Sequence, residues 1–129
     1  MKIVEVAVGV IIRNNKVFIS KRADELHQGG FWEFPGGKRE QNETIAQALT
    51  RELQEEVGIE VIEQIEFLLI EHDYGDKKVC LDVRLVERFE GEPSHQENQT
   101  SQWVNIADLA NFNFPTANKV IVEKLQKEC

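Results

Sequence analysis

The sequence predicts a mixed β-sheet flanked by two main helices, an α+β or α/β arrangement of sheet and helix layers. Three observations carry this prediction. Apolar, β-branched runs near the start and between residues 64 and 88 read as strands. Two other stretches, 44–57 and 116–127, carry apolar residues at spacings of three and four and read as helices. The length of 129 residues suits one domain with a single core, residues 1–129.

The elements follow in order. Val4–Ile12 is a largely buried strand, Asn14-Asn15 turns the chain, and Val17–Ser20 returns as a second strand. A Gly-rich polar loop runs from about Ala23 to Gly30, and the short aromatic stretch Phe31–Phe34 is broken by Pro35-Gly36-Gly37. The first helix, Thr44–Val57, buries Ile45, Ala48, Leu49, Leu53 and Val57, is capped by Asn42 or Thr44, and is closed by Gly58. Strands are expected at Gln64–Asp73, Val79–Arg88 and Gln102–Val104. In the second helix, Thr116–Lys127, Thr116 is the expected cap and Ala117, Val120, Ile121 and Leu125 the inward face.

Net charge is −8, from 15 Lys+Arg against 23 Asp+Glu, which argues against nucleic-acid polymers and acidic membranes as partners. A small polyanion remains suitable if a divalent cation bridges it to carboxylates. No apolar run is long enough to span a bilayer and no signal peptide is evident, so a cytoplasmic protein is the expectation. Cys80 and Cys129 form no ligand cluster; Cys80 is expected in the core and Cys129 exposed. A monomer is the default.

The chain nevertheless gathers Glu43, Glu52, Glu55 and Glu56 on or beside one helix. Glu52, Glu55 and Glu56 fall at i, i+3 and i+4, on one face that borders the apolar stripe. Like charges at that spacing destabilise an isolated helix, and the helix C-terminus disfavours anions. Either Arg51, Lys38 and water offset a solvated face, or the carboxylates hold a cation. Clustered carboxylates with a carbonyl from the glycine turn are hard oxygen donors suited to Mg²⁺ or Mn²⁺ rather than zinc.

The order Gly37, five residues, Glu43, seven residues, Arg51-Glu52-Leu53, any residue, Glu55-Glu56, any residue, Gly58-Ile59 resembles the Nudix box. That box is the signature of hydrolases acting on a nucleoside diphosphate linked to another moiety. The segments AVGVII, FISKRADELH, EFPGGK, LVERFEGEP and FPTAN extend the resemblance over nearly the whole chain, toward the branch of the family that hydrolyses 8-oxo-dGTP. The resemblance implies an α/β/α sandwich around a central mixed sheet. It also implies Mg²⁺-dependent hydrolysis of a nucleoside triphosphate to the monophosphate and pyrophosphate.

By that resemblance Glu52, Glu55, Glu56, the carbonyl of Gly36 and Glu97 are the metal ligands. Glu52 is the first choice of general base, with Glu43 and Lys38 as alternatives, and Arg51 fixes the glutamate rotamers. Arg22, His27, Glu33, Phe34, Pro35, Gly36, Lys77 and Asn118 are the candidate substrate contacts, with Phe34 on the purine and Asn118 on its Watson–Crick edge. Lys77 stands where that branch carries an arginine, Tyr74 where it carries phenylalanine, and Trp32 where it has no aromatic. The alternatives are another Nudix activity, on pyrimidine or other triphosphates or on dinucleoside polyphosphates, and a non-catalytic nucleotide-binding module. Trp103 is expected in the core.

Overall fold

The computed structural model describes residues 2–22, 30–96 and 99–128. Its spine is β1 (Lys2–Arg13), which runs parallel to β6 (Lys77–Glu90) from Lys2 opposite Lys77 to Ile11 opposite Val86. On the other side of β1, Val6–Val8 pair antiparallel with β4 (Gly36–Lys38). The chain then reverses at Asn14-Asn15, both at positive φ (53° and 65°), as a two-residue hairpin requires. β2 (Lys16–Lys21) follows, flanked by β3 (Trp32–Glu33) and β7 (Ser101–Asn105). β5 (Glu60–Asp73) is antiparallel to β6 at the far edge. The sheet is therefore mixed, with the order β3-β2-β1-β6-β5 and β4 and β7 as side branches.

Period-2 alternation divides the core between the two faces. Ala7, Ile11, Phe18 and Val86 point to α1 (Ile45–Val57) and meet Ala48, Leu49, Leu53 and Val57. Val8, Val10, Val17, Ile19 and Val83 point the other way, against Ile121, Val122 and Leu125 of α2 (Thr116–Glu128) and Leu109 of a short 3-10 turn (Ile106–Asn111). Gly9 lies where β1 crosses α1: a Cβ there would stand 3.0 Å from Leu53 Cδ1 and 3.2 Å from Leu49 Cδ1. The missing side chain sets how closely helix and sheet approach.

Thr44 caps α1 in a capping box with Gln47, and Gly58 ends it in the left-handed conformation (φ 73°). Trp103 packs edge-on against Phe18 at 5.7 Å. Four expectations are corrected. β5 starts at Glu60, not Gln64. Thr116 is the first residue of α2 and not its cap, because the Pro115 carbonyl accepts the Asn118 and Lys119 amides. Val120 is 43% exposed while Val122 is buried, since the stripe centred on Ile121 and Leu125 leaves Val120 on the far side. Cys80 is half-buried on β6, with Sγ 3.7 Å from Glu71, rather than in the core. The strand β4 and the 3-10 turn were not foreseen.

Candidate active site

The C-terminal half of α1 forms one wall of a cleft of about 360 Å³. Glu52, Glu55 and Glu56 line it from the helix; Glu33, Phe34 and Gly36 from β3, β4 and the link between them; Arg22, His95 and Gln99 from the segments beside them. Two glycines permit this approach. A Cβ on Gly36 would sit 2.0 Å from the Ala7 carbonyl oxygen, so only glycine lets β4 lie against β1 there. A Cβ on Gly37 would sit 2.3 Å from Glu52 Cδ, so the Glu52 carboxylate occupies the space that glycine leaves open.

Each acidic group has a distinct environment. Glu56 accepts the Gly36 N–H at 3.3 Å and lies 3.8 Å from Nε2 of the buried His95. Arg51 spreads over several carboxylates. It donates to both Glu43 oxygens (3.2 and 2.8 Å), to Glu52 at 2.9 Å, to Glu55 at 3.5 Å and to the Lys38 carbonyl at 3.2 Å. Those hydrogen bonds, joined by the Glu40 amide, hold the Glu43 carboxyl below its usual range. The Arg51 guanidinium is correspondingly harder to deprotonate. Burial pushes the Glu33 carboxyl up, against the opposing pull of Arg22 at 3.5 Å and of His95.

The segment that delivers His95 is fastened to α1. The Ser94 N–H donates to the Val57 carbonyl (3.1 Å) and the Gln96 N–H to the Glu56 carbonyl (2.8 Å). These are carbonyls that a helix end leaves without partners of its own. Capping α1 therefore also fixes His95 in the cleft.

The structure thus brings together Glu52, Glu55, Glu56, Gly36, Glu33, Phe34 and Arg22. Pro35 is buried behind them, its carbonyl accepting the Gly9 N–H at 2.8 Å. Phe34 is 5% exposed and stacks on Phe114 at 5.2 Å, so one ring both lines the cleft and packs in the core. Glu43 and Lys38 stand outside the wall, tied to it through Arg51. Lys77 starts β6 beside Tyr74, with Nζ 5.8 Å from that ring, and Asn118 is half-buried in the first turn of α2; neither lines the cleft. His27 and Glu97 lie outside the described residues. Sequence reasoning missed His95 and Gln99, whose only signal was their place in the polar segment around Glu97.

The donor set is one of carboxylates around a glycine turn, which matches a hard divalent cation in chemistry. Among the described residues, no three acidic, His or Cys groups converge closely enough to hold a metal as they stand. Glu52 is engaged by Arg51, and Glu56 by Gly36, so the carboxylates share a cleft without forming a closed cage.

The NUDIX domain model matches residues 7–124. The 8-oxo-dGTP diphosphatase of Escherichia coli K12 is 43% identical over 98% of this chain and 99% of its own. The CTP pyrophosphohydrolase of the same organism is 31% identical over 95% and 91%. A solved structure from a study of MutT from Aliivibrio salmonicida and Vibrio cholerae superposes with a TM-score of 0.91 at 42% identity, covering 99% of this chain and all of that one.

Proposed function

The chain belongs to the NUDIX domain family, and from that premise we propose that it is a Mg²⁺-dependent nucleoside triphosphate pyrophosphohydrolase preferring 8-oxo-dGTP. It acts as one domain and as a monomer, releasing the monophosphate and pyrophosphate and so clearing oxidised guanine from the nucleotide pool. The observation that carries this reading is the cleft itself. The three helix carboxylates face an opposite side made by Arg22, Phe34 and Gly36. Full-length similarity to curated 8-oxo-dGTP diphosphatases supports the choice of substrate.

Glu52, Glu55 and Glu56, with the Gly36 carbonyl and Glu97, are the residues that would hold the cation. Mg²⁺, or Mn²⁺ in its place, would offset the phosphate charge and lower the pKa of water. An acidic chain can thereby take a polyanion. Arg22 carries a guanidinium able to engage phosphate oxygens as a fork. Phe34 offers an apolar face to a purine, and Asn118 presents an acceptor and two donors for its edge. His27, Glu33, Pro35 and Lys77 complete the proposed contacts.

Hydrolysis at phosphorus needs a group to take the proton of the attacking water. Glu43 is poorly suited, because Arg51 occupies both its oxygens and depresses its proton affinity. Lys38 is exposed outside the wall. Glu52 lines the cleft, with Arg51 on one of its oxygens, and is the proposed base. Arg51 positions it.

Steady-state hydrolysis of 8-oxo-dGTP, dGTP, CTP, a diadenosine polyphosphate and ADP-ribose with Mg²⁺ tests the reading. A kcat/KM preference for 8-oxo-dGTP with pyrophosphate release is expected. Preference for CTP, the reading favoured by the 31% identical relative, would keep the chemistry and discard the roles of Phe34 and Asn118. Glu52→Gln should lower kcat by several orders of magnitude with a melting temperature within about 4 °C of wild type. Retained turnover would remove Glu52 as base.

A further inference from the structure

β2 and β7 pair with Phe18 opposite Trp103 and Ser20 opposite Ser101. The Lys21 N–H bonds the Thr100 carbonyl at 2.7 Å and carries the same register onward, which sets Arg22 opposite Gln99. Alternate residues share a face, so Ser20, Arg22 and Gln99 point to the α1 side, where the cleft opens.

Among the described residues, two buried side-chain atoms lack a hydrogen-bond partner, Ser20 Oγ and Gln99 Oε1. Both lie on this face of this strand pair, and Gln99 belongs to the cleft wall. A buried acceptor without a donor is destabilising, and native structures contain few of them. Its presence at a ligand cleft also has an energetic consequence. A hydrogen bond formed on binding normally replaces one already made to water or protein, and the net gain is small. Gln99 Oε1 has no such bond to give up. The terminal amide torsion is soft, so the group can turn toward the cleft that Gln99 lines.

The chemistry of the Gln99 oxygen selects its partner. An amide oxygen accepts and cannot bond an unprotonated phosphate oxygen, whereas a nucleoside carries donors in its sugar hydroxyl and base N–H groups. Gln99 is also uncharged beside Glu33, Glu52 and Glu56, and adds no repulsion toward a triphosphate. We propose that Gln99 is a substrate-contact residue whose amide oxygen accepts a hydrogen bond from the nucleoside part of the bound nucleotide. This rests on the reading of the cleft as a nucleotide site.

The test is calorimetric titration of the full chain with 8-oxo-dGMP and with CMP, comparing wild type with Gln99→Met. Methionine keeps the length and removes the acceptor. The expected result is roughly tenfold weaker binding, equivalent to about 1.4 kcal/mol, with a melting temperature equal to or above wild type. Gln99→Glu, which keeps an acceptor oxygen, should recover most of the affinity for the uncharged nucleoside 8-oxo-deoxyguanosine. Titrations with dGMP and 2′,3′-dideoxy-GMP separate the donors. A difference between them that disappears in Gln99→Met identifies the 3′-hydroxyl, and one that persists identifies a base N–H. Binding by Gln99→Met within twofold of wild type overturns the proposal, and so does weaker binding accompanied by a fall in melting temperature. If the wild type cleaves CTP and not 8-oxo-dGTP, the substrate reading fails while CMP still tests Gln99.

Discussion

Gly37→Ala separates the place of Glu52 from the integrity of the fold. Gly37 is not among the positive-φ glycines, so alanine is not excluded by that conformation; the three nearest atoms to a new Cβ all belong to the Glu52 side chain. It would stand 2.3 Å from Glu52 Cδ and 2.4 and 2.6 Å from the two carboxylate oxygens, against the 3.4 Å at which ordinary contact begins. The carboxylate must therefore retreat by about 1 Å. A displacement of that size at a reacting group costs about 10²-fold in rate. Stability should change little. The interaction most exposed to loss is the 2.9 Å contact of Arg51 with Glu52, between side chains 25% and 20% exposed. Allowing for solvent screening, it contributes no more than about 1 kcal/mol, or roughly 4 °C in melting temperature. The assays are kcat/KM on 8-oxo-dGTP and differential scanning calorimetry of the same sample. Activity within about threefold of wild type would refute the reasoning, since it would mean that Glu52 can work from elsewhere. Gly36→Ala supplies the contrast. Its Cβ meets backbone, at 2.0 Å from Ala7 O and 2.9 Å from Val8 Cα, and stability should fall before activity can be assigned.

Three further outcomes follow from the same geometry. Glu43 is held below the usual carboxylate range by Arg51, so its stabilisation is present above the unfolded-state pKa and lost as pH falls through the lower folded value. The melting-temperature gap between wild type and Glu43→Gln should be full at pH 7 and close below about pH 4; a gap independent of pH would contradict this. Glu33 is shifted the other way by burial, so its favourable contribution is present below the unfolded pKa and lost as pH rises through the folded one. Glu33→Gln should therefore be more stable than wild type at pH 7 and equal to it near pH 4, and a less stable variant at pH 7 would mean that Arg22 outweighs burial. Gly9→Ala drives a Cβ to 3.0 Å from Leu53 and 3.2 Å from Leu49. Overpacking of about 1–3 kcal/mol is expected in urea unfolding, and no change would show that α1 can move off the sheet.

The parts of this molecule written in periodic patterns were legible in its sequence. The stripe Ala48, Leu49, Leu53 and Val57 specified both α1 and its buried face, and the i, i+3, i+4 glutamates followed from the same geometry. Features that depend on non-local packing were not. β4 consists of Gly36, Gly37 and Lys38, a segment without strand propensity. It is extended because the backbone of β1 accepts it and because a side chain at either glycine would collide. His95 belongs to no periodic element; its position follows from the Ser94 and Gln96 amides capping the end of α1. Val120 was assigned to the buried face of α2, and Val122 left out of it, because a helix with few apolar residues leaves the centre of its stripe ambiguous.

The electrostatics of α1 show why this many carboxylates can coexist before any cation arrives. No basic residue stands in the last turn, so Glu55 and Glu56 face the unfavourable end of the helix dipole uncompensated from within the helix. Relief comes from three directions. The Gly36 amide donates to Glu56, the His95 segment caps the terminal carbonyls, and Arg51 contacts Glu40, Glu43, Glu52 and Glu55. A guanidinium suits this task because its five donors are splayed in a rigid plane, whereas an ammonium would act as one mobile point charge. Even so, Arg51 bonds both oxygens of Glu43 alone and one oxygen each of Glu52 and Glu55. Acceptor capacity is left over on Glu52 and Glu55, both of which line the cleft. A cation entering there completes what Arg51 begins, and competes with it for Glu52. Arg51 is thus both the reason that the apo cluster is tolerated and the brake on closing it around a metal.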